Sequence, residues 1–156
     1  MAARRLAPLV RAHGDTFDPT AFASTPITFP ITAGAVVYAV DVPRLTEFYA
    51  TVVGLNVTSS AQDHAILESG AFQLVIHTIP ADIAPSIEIA RPPIRREETP
   101  VKLVFLVASI SVARALATAH GGQVDPTERE WMFGPYRVCD GHDPEGNVIQ
   151  LRQTAV

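Results

Sequence analysis

The chain has 156 residues, 47% apolar and 18% charged, with a formal net charge of −4 and one cysteine. That is enough apolar chain for one domain, or for two small modules sharing a core. No basic stripe exists to neutralise phosphates, which excludes a nucleic-acid partner. No apolar run approaches the roughly 20 residues of a membrane span. A lone Cys139 cannot form an internal disulfide, which fits a reducing, cytoplasmic setting.

Residues 1–30 form an N-terminal extension. Arg4, Arg5 and Arg11 precede the first acid, Asp15. Pro8 interrupts any helix there, so a segment packed along the domain or a partner subunit is expected rather than a transit peptide. Ala33 to Val40 then reads as a strand. Both its faces are mostly apolar, as in a strand covered on both sides. Asp41 caps a helix with Pro43 in its first turn. Leu45, Phe48, Tyr49 and Val52 recur at helical spacing as one buried stripe, and Gly54 ends the helix. Leu55–Ser59, Ala65–Glu68 and Phe72–Thr78 are the next strands, with turns at Asp63 and at Ser69-Gly70. This first module spans residues 31–79.

Residues 80–100 are a connector. Pro80, Pro85, Pro92, Pro93 and Pro100 argue against a helix or a central strand. The run Arg95-Arg96-Glu97-Glu98 reads as solvated surface.

The pattern then restarts over residues 101–156. Val101–Val107 is a strand, Ser109 or Ser111 caps a helix from Ile110 to Ala119, and Gly121-Gly122 end it. An offset of 67 residues lays Val40 on Val107, Gly54 on Gly121 and Val57 on Val124. One βαβββ module has been duplicated. The second copy continues through Val124, Glu130–Phe133, Tyr136–Asp140 and Val148–Gln153. Cys139 falls inside a strand, as a buried and inert thiol. Between the last two strands lies Asp143-Pro144-Glu145-Gly146-Asn147. Pro144 presets φ, Gly146 accepts positive φ, and Asp143 and Asn147 bond nearby backbone, the chemistry of a hairpin turn.

Two such copies, opened by Val36-Val37-Tyr38-Ala39-Val40-Asp41 and closed by Asp143-Pro144-Glu145-Gly146-Asn147-Val148-Ile149-Gln150-Leu151, resemble the vicinal oxygen chelate superfamily. That group contains glyoxalase I, bleomycin-resistance proteins and extradiol dioxygenases. The resemblance covers roughly residues 33–153. It implies an α+β fold: two βαβββ modules forming an eight-stranded curved half-barrel sheet, helices outside, usually dimeric, with a cleft for a metal or a drug.

Metal-dependent members place four ligands on the first and last strands of the modules. The corresponding positions here are Gly34, Val75, Lys102 (or Val101) and Gln150. Glycine and valine have no donor, an ammonium repels a cation, and glutamine is a weak ligand. No metal or other cofactor is therefore expected.

If inward faces follow the family, Tyr38, His77, Lys102, Gln150 and Arg152 line the cleft. His77 is a possible general base or donor; the alternative is a strand-end histidine bonded to backbone. Drug-binding members carry an aromatic near Trp131 that stacks on planar ligands. His64, His120 and His142 fall at turns or helix ends and are not read as ligands. No nucleophile–base pair or phosphate loop is present. The reading that follows is a metal-free small-molecule-binding homodimer whose ligand is planar and polar or anionic. The alternatives are a glyoxalase-like lyase or isomerase with a degenerate or relocated metal site, and a non-catalytic dimeric interaction module.

Overall fold

A computed structural model of the protein describes Ile31 and residues 33–155. The expected packing of the N-terminal extension lies outside the described residues. Two sheets are present. The first contains β1 (Ala33–Ala39), β2 (Asn56–Ser60), β3 (His64–Ser69) and β4 (Phe72–Thr78), in the order β1-β4-β3-β2. The second contains β5 (Leu103–Leu106), β6 (Gln123–Val124), β7 (Trp131–Phe133), β8 (Tyr136–His142) and β9 (Val148–Thr154). Its order is β5-β9-β8-β6, with β7 also pairing β8. In each sheet the module's first strand lies parallel to its last, β1 to β4 and β5 to β9. The α+β fold with two βαβββ modules is thus present, as curved sheets of four and five strands with no closed barrel.

The helices form where the capping chemistry allows. Asp41 accepts the Arg44 amide at 3.0 Å and starts α1 (Val42–Phe48). The chain continues as a π-helical turn, Tyr49–Val53, and stops at Gly54, whose φ of 81° is left-handed. Ser109 accepts the Val112 amide and starts α2 (Ile110–Ala119). One buried cluster draws on both helices and both sheets, including Leu45, Phe48, Tyr49, Leu74, Phe105, Ile110 and Leu151. Such a core is large enough to hold both modules as one unit.

The closing turn between β8 and β9 does more than reverse the chain. Asp143 is fully buried. Its carboxylate accepts from the amides of Glu145 and Asn147, the Asn147 side chain and the Tyr49 hydroxyl. Burial pushes this carboxyl up, and those four donors pull it back. Glu145, equally hidden, accepts the Val40 amide at 3.0 Å and the Asp41 amide at 2.7 Å. The turn of the second module therefore clamps the strand-to-helix junction of the first. Gly146, at φ 85°, passes so close to the Ile94 carbonyl that a Cβ would lie 2.1 Å from its oxygen. The connector is thereby held against the turn, with the Arg96 amide donating to the Gly146 carbonyl at 2.9 Å.

One expectation is corrected. The sequence reads β1 as covered on both sides, yet Val36, Tyr38 and Val40 are each more than half exposed. Ala35, Val37 and Ala39 face the core, and the opposite face is open. The apolar outer face of β1 is left open and not buried under a second layer. His64 is corrected too: it is the first residue of β3, not a turn residue.

Candidate functional site

Each sheet leaves one face exposed, and register determines which residues meet there. On the first sheet, Tyr38, His77 and His64 form one row across β1, β4 and β3. The Tyr38 and His77 ring centroids are 6.0 Å apart and tilted by 60°. The His64 and His77 rings are 6.0 Å apart and nearly parallel, at 10°. His77 Nδ1 lies 2.9 Å from the Thr78 carbonyl oxygen, so that nitrogen carries the proton and Nε2 keeps the lone pair. The backbone bond anticipated as the plain alternative is therefore made, and it leaves a basic nitrogen unspent.

On the second sheet, Leu106, Arg152, Val138 and Trp131 make one row across β5, β9, β8 and β7. Val104, Gln150 and Asp140 make the next. Asp140 ties this wall together. It accepts from Lys102 Nζ at 2.5 Å and from Gln150 Nε2 at 3.2 Å. Gln150 Oε1 in turn accepts from Arg152 Nε at 3.0 Å. The Arg152 guanidinium carbon lies 4.9 Å from the centre of the Phe133 ring, a cation–π distance. A pocket of about 200 Å³ lies beside this network, lined by Lys102, Asp140, Val148, Thr99 and Arg95.

Of the six residues singled out from sequence, the structure thus makes two groups. Tyr38 and His77 adjoin on one wall. Lys102, Gln150 and Arg152 join on the other, with Trp131 in the Arg152 row. No hydrogen bond or ring contact links the two groups among the described residues. Asp140 and Phe133 were missed, and His64 was named but set aside as a turn residue. Phe133 shares strand parity with Trp131, Asp140 is the register partner of Gln150, and His64 is the register partner of His77.

The four positions that correspond to the metal ligands of metal-dependent members do not fit an ion. Gly34 has no side chain, and a Cβ there would already approach the Gln73 carbonyl oxygen at 3.0 Å. Val75 has no donor atom. Lys102 is engaged as a cation with Asp140, and both polar atoms of Gln150 are committed to Asp140 and Arg152. Among the described residues no group of three or more His, Cys, Asp or Glu side chains is placed to hold an ion. Cys139 is buried, and burial pushes its thiol up, as for an inert cysteine.

A sequence profile described as the glyoxalase-like domain matches residues 34–152, most of the chain. The chain belongs to the glyoxalase-like domain family. No curated protein sequence matches this glyoxalase-like chain. Solved structures do, at the level of fold. A glyoxalase/bleomycin resistance protein/dioxygenase family enzyme from Burkholderia phytofirmans PsJN superposes with a TM-score of 0.58 at 17% identity, covering 78% of this chain and 97% of that one. A genomically encoded fosfomycin resistance protein from Listeria monocytogenes gives a TM-score of 0.54 at 13% identity, covering 79% and 92%. A bleomycin resistance determinant encoded on a transposon gives 0.51 at 13% identity, covering 79% and 97%. The vicinal oxygen chelate architecture expected from the two modules is the architecture of the chain. Among the described residues no helix is long and apolar enough to cross a membrane.

Proposed function

We propose that this glyoxalase-like chain binds a planar, polar or anionic small molecule on its concave face, as a homodimer, and without a metal at the four positions used by metal-dependent relatives. The observation that carries the reading is Arg152. Its Nε is spent on Gln150, its face rests on Phe133, and its other nitrogens have no protein acceptor among the described residues. A cation oriented in this way, on a face with exposed Leu106, Trp131 and Phe133, suits a flat anion. The similarity of fold to drug-resistance proteins supports a small-molecule role in the same direction.

Lys102 plays a different part from the one expected of it. Asp140 compensates its charge, so the cation offered to a ligand is Arg152. Tyr38 and His77 form the opposite wall of the proposed site, and Gln150 orients Arg152 from below. The lyase or isomerase reading would rest on His77 Nε2 as a base.

The test is a thermal-shift and fluorescence titration with flat aromatic carboxylates and sulfonates, anilinonaphthalene sulfonate among them. Saturable binding weakened about tenfold by Arg152→Ala is expected, the loss of one charge-assisted contact. Binding that is unchanged in Arg152→Ala would place the ligand elsewhere. No stabilisation by any member of the set would favour the interaction-module reading.

A further inference from the structure

Resting on the ligand reading above and narrowing it to one chemical class, we propose that the second sheet selects aromatic monoanions, carboxylates or sulfonates. Arg152 holds the anionic head end-on, and Asp140 sets the discrimination against dianions such as phosphonates and phosphate monoesters.

The orientation follows from the contacts Arg152 already makes. A guanidinium is planar, and its N–H groups form a fixed fork. Nε donates to Gln150 Oε1 at 3.0 Å, which engages one side of the fork. The Phe133 ring covers one face, with its centre 4.9 Å from the guanidinium carbon. The end-on pair, Nη1 and Nη2, remains, with no protein acceptor among the described residues. Two parallel N–H groups match two oxygens of one acid group. Held from two directions, the side chain has little freedom left to lose on binding.

The surroundings of the fork are apolar. Register places Leu106 beside Arg152 and Val104 beside Gln150. Trp131 shares the Arg152 row through Val138, and Phe133 follows it on β7. Leu106, Val104, Trp131 and Phe133 are each at least 40% exposed. A ring attached to the acid group removes this surface from water as it removes its own.

The charge count selects the valence. Lys102 and Arg152 stand against Asp140, a formal balance of 2 − 1 = +1. The adjoining pocket adds no free cation: Arg95 is paired with Asp125, and Glu97 lies beside it. One negative charge is therefore matched. A second gains little, because Asp140 has already neutralised Lys102 and repels it. The cost of taking an ion out of water grows with the square of its charge, whereas attraction to one cation grows only in proportion.

The experiment titrates the full chain by calorimetry with two probes of nearly equal shape, naphthalene-2-sulfonate and naphthalene-2-phosphonate. At about pH 8.5 the first carries one charge and the second two. The sulfonate should bind about tenfold more tightly. In Asp140→Asn the gap should close to about twofold, since the lost repulsion counts twice for a double charge. Lys102→Gln leaves Asp140 uncompensated and should widen the gap, which tests the same point in a separate variant. Arg152→Lys keeps the charge but loses the fork, and should weaken the sulfonate about fivefold. Equal binding of the two probes, or tighter binding of the phosphonate, would overturn the proposal and leave the ligand reading in place. So would a gap indifferent to both Asp140→Asn and Lys102→Gln. Binding of neither probe at millimolar concentration would overturn the ligand reading itself, and the proposal with it.

Discussion

The Tyr49 hydroxyl donates to the Asp143 carboxylate at 2.9 Å, joining the helical segment of one module to the closing turn of the other across 94 residues of chain. Both groups are buried. The bond therefore acts between the two modules and not within either one.

Tyr49→Phe should therefore destabilise the fold by about 1–3 kcal/mol, since a buried carboxylate loses one of its donors. The same residue sets an alkaline limit. Burial, with Asp143 beside it, raises the folded phenol well above its ordinary value of 10.0. The folded state then keeps a proton that the unfolded state releases. Stability from this group is fully present below pH 10 and falls as pH rises beyond it, by up to about 1.4 kcal/mol per pH unit. Urea unfolding at a series of pH values checks both statements: the Phe variant should be weaker at neutral pH and should show a shallower alkaline decline.

Glu145→Gln should cost about 2 kcal/mol. The carboxylate now accepts two backbone amides, Val40 and Asp41. An amide side chain offers one acceptor and turns its own donor on the other N–H. Hydrogen exchange at Val40 and Asp41 should accelerate with the loss of stability. Unchanged exchange at both amides would contradict the clamp.

Asp140→Asn should tighten the binding of an aromatic sulfonate by roughly fivefold, about 1 kcal/mol for a half-exposed charge. The substitution removes the anion that neutralises Lys102 and leaves a neutral partner for Gln150. A fluorescence titration beside the parent decides it. Weaker binding would mean that Asp140 itself contacts the ligand.

Val36 and Tyr38 on the first sheet and Leu106 and Phe133 on the second are each more than half exposed on the single chain. A face of that kind is normally covered. Light scattering at micromolar concentration should report about twice the 16.8 kDa of the chain. A particle at the chain's own mass would leave the homodimer without support.

Much of this was legible in the chain itself, because it depends on neighbours in sequence. The Asp41 and Ser109 caps, the Gly54 stop and the Asp143–Asn147 turn are local chemistry, and each stands where the residue types place it. The duplication followed from the constant offset between modules. Strand parity also correctly assigned Gln150 and Arg152 to one face. Partners across strands were within reach but were not used. Counting outward from Asp143 and Asn147 pairs Asp140 with Gln150, and counting outward from Ser69 and Phe72 pairs His64 with His77.

Other features belong to the tertiary structure alone. Periodicity says that both faces of β1 are apolar, but only packing decides which one is left uncovered. A lysine in a strand looks like a free cation until a carboxylate 38 residues away neutralises it. Asp143 and Glu145 look like solvated turn residues until their burial against the first module turns them into acceptors for Tyr49, Val40 and Asp41. The physical reason is the same in each case. Backbone propensity acts over a few residues, whereas desolvation and charge pairing depend on which distant segments share the same few ångströms.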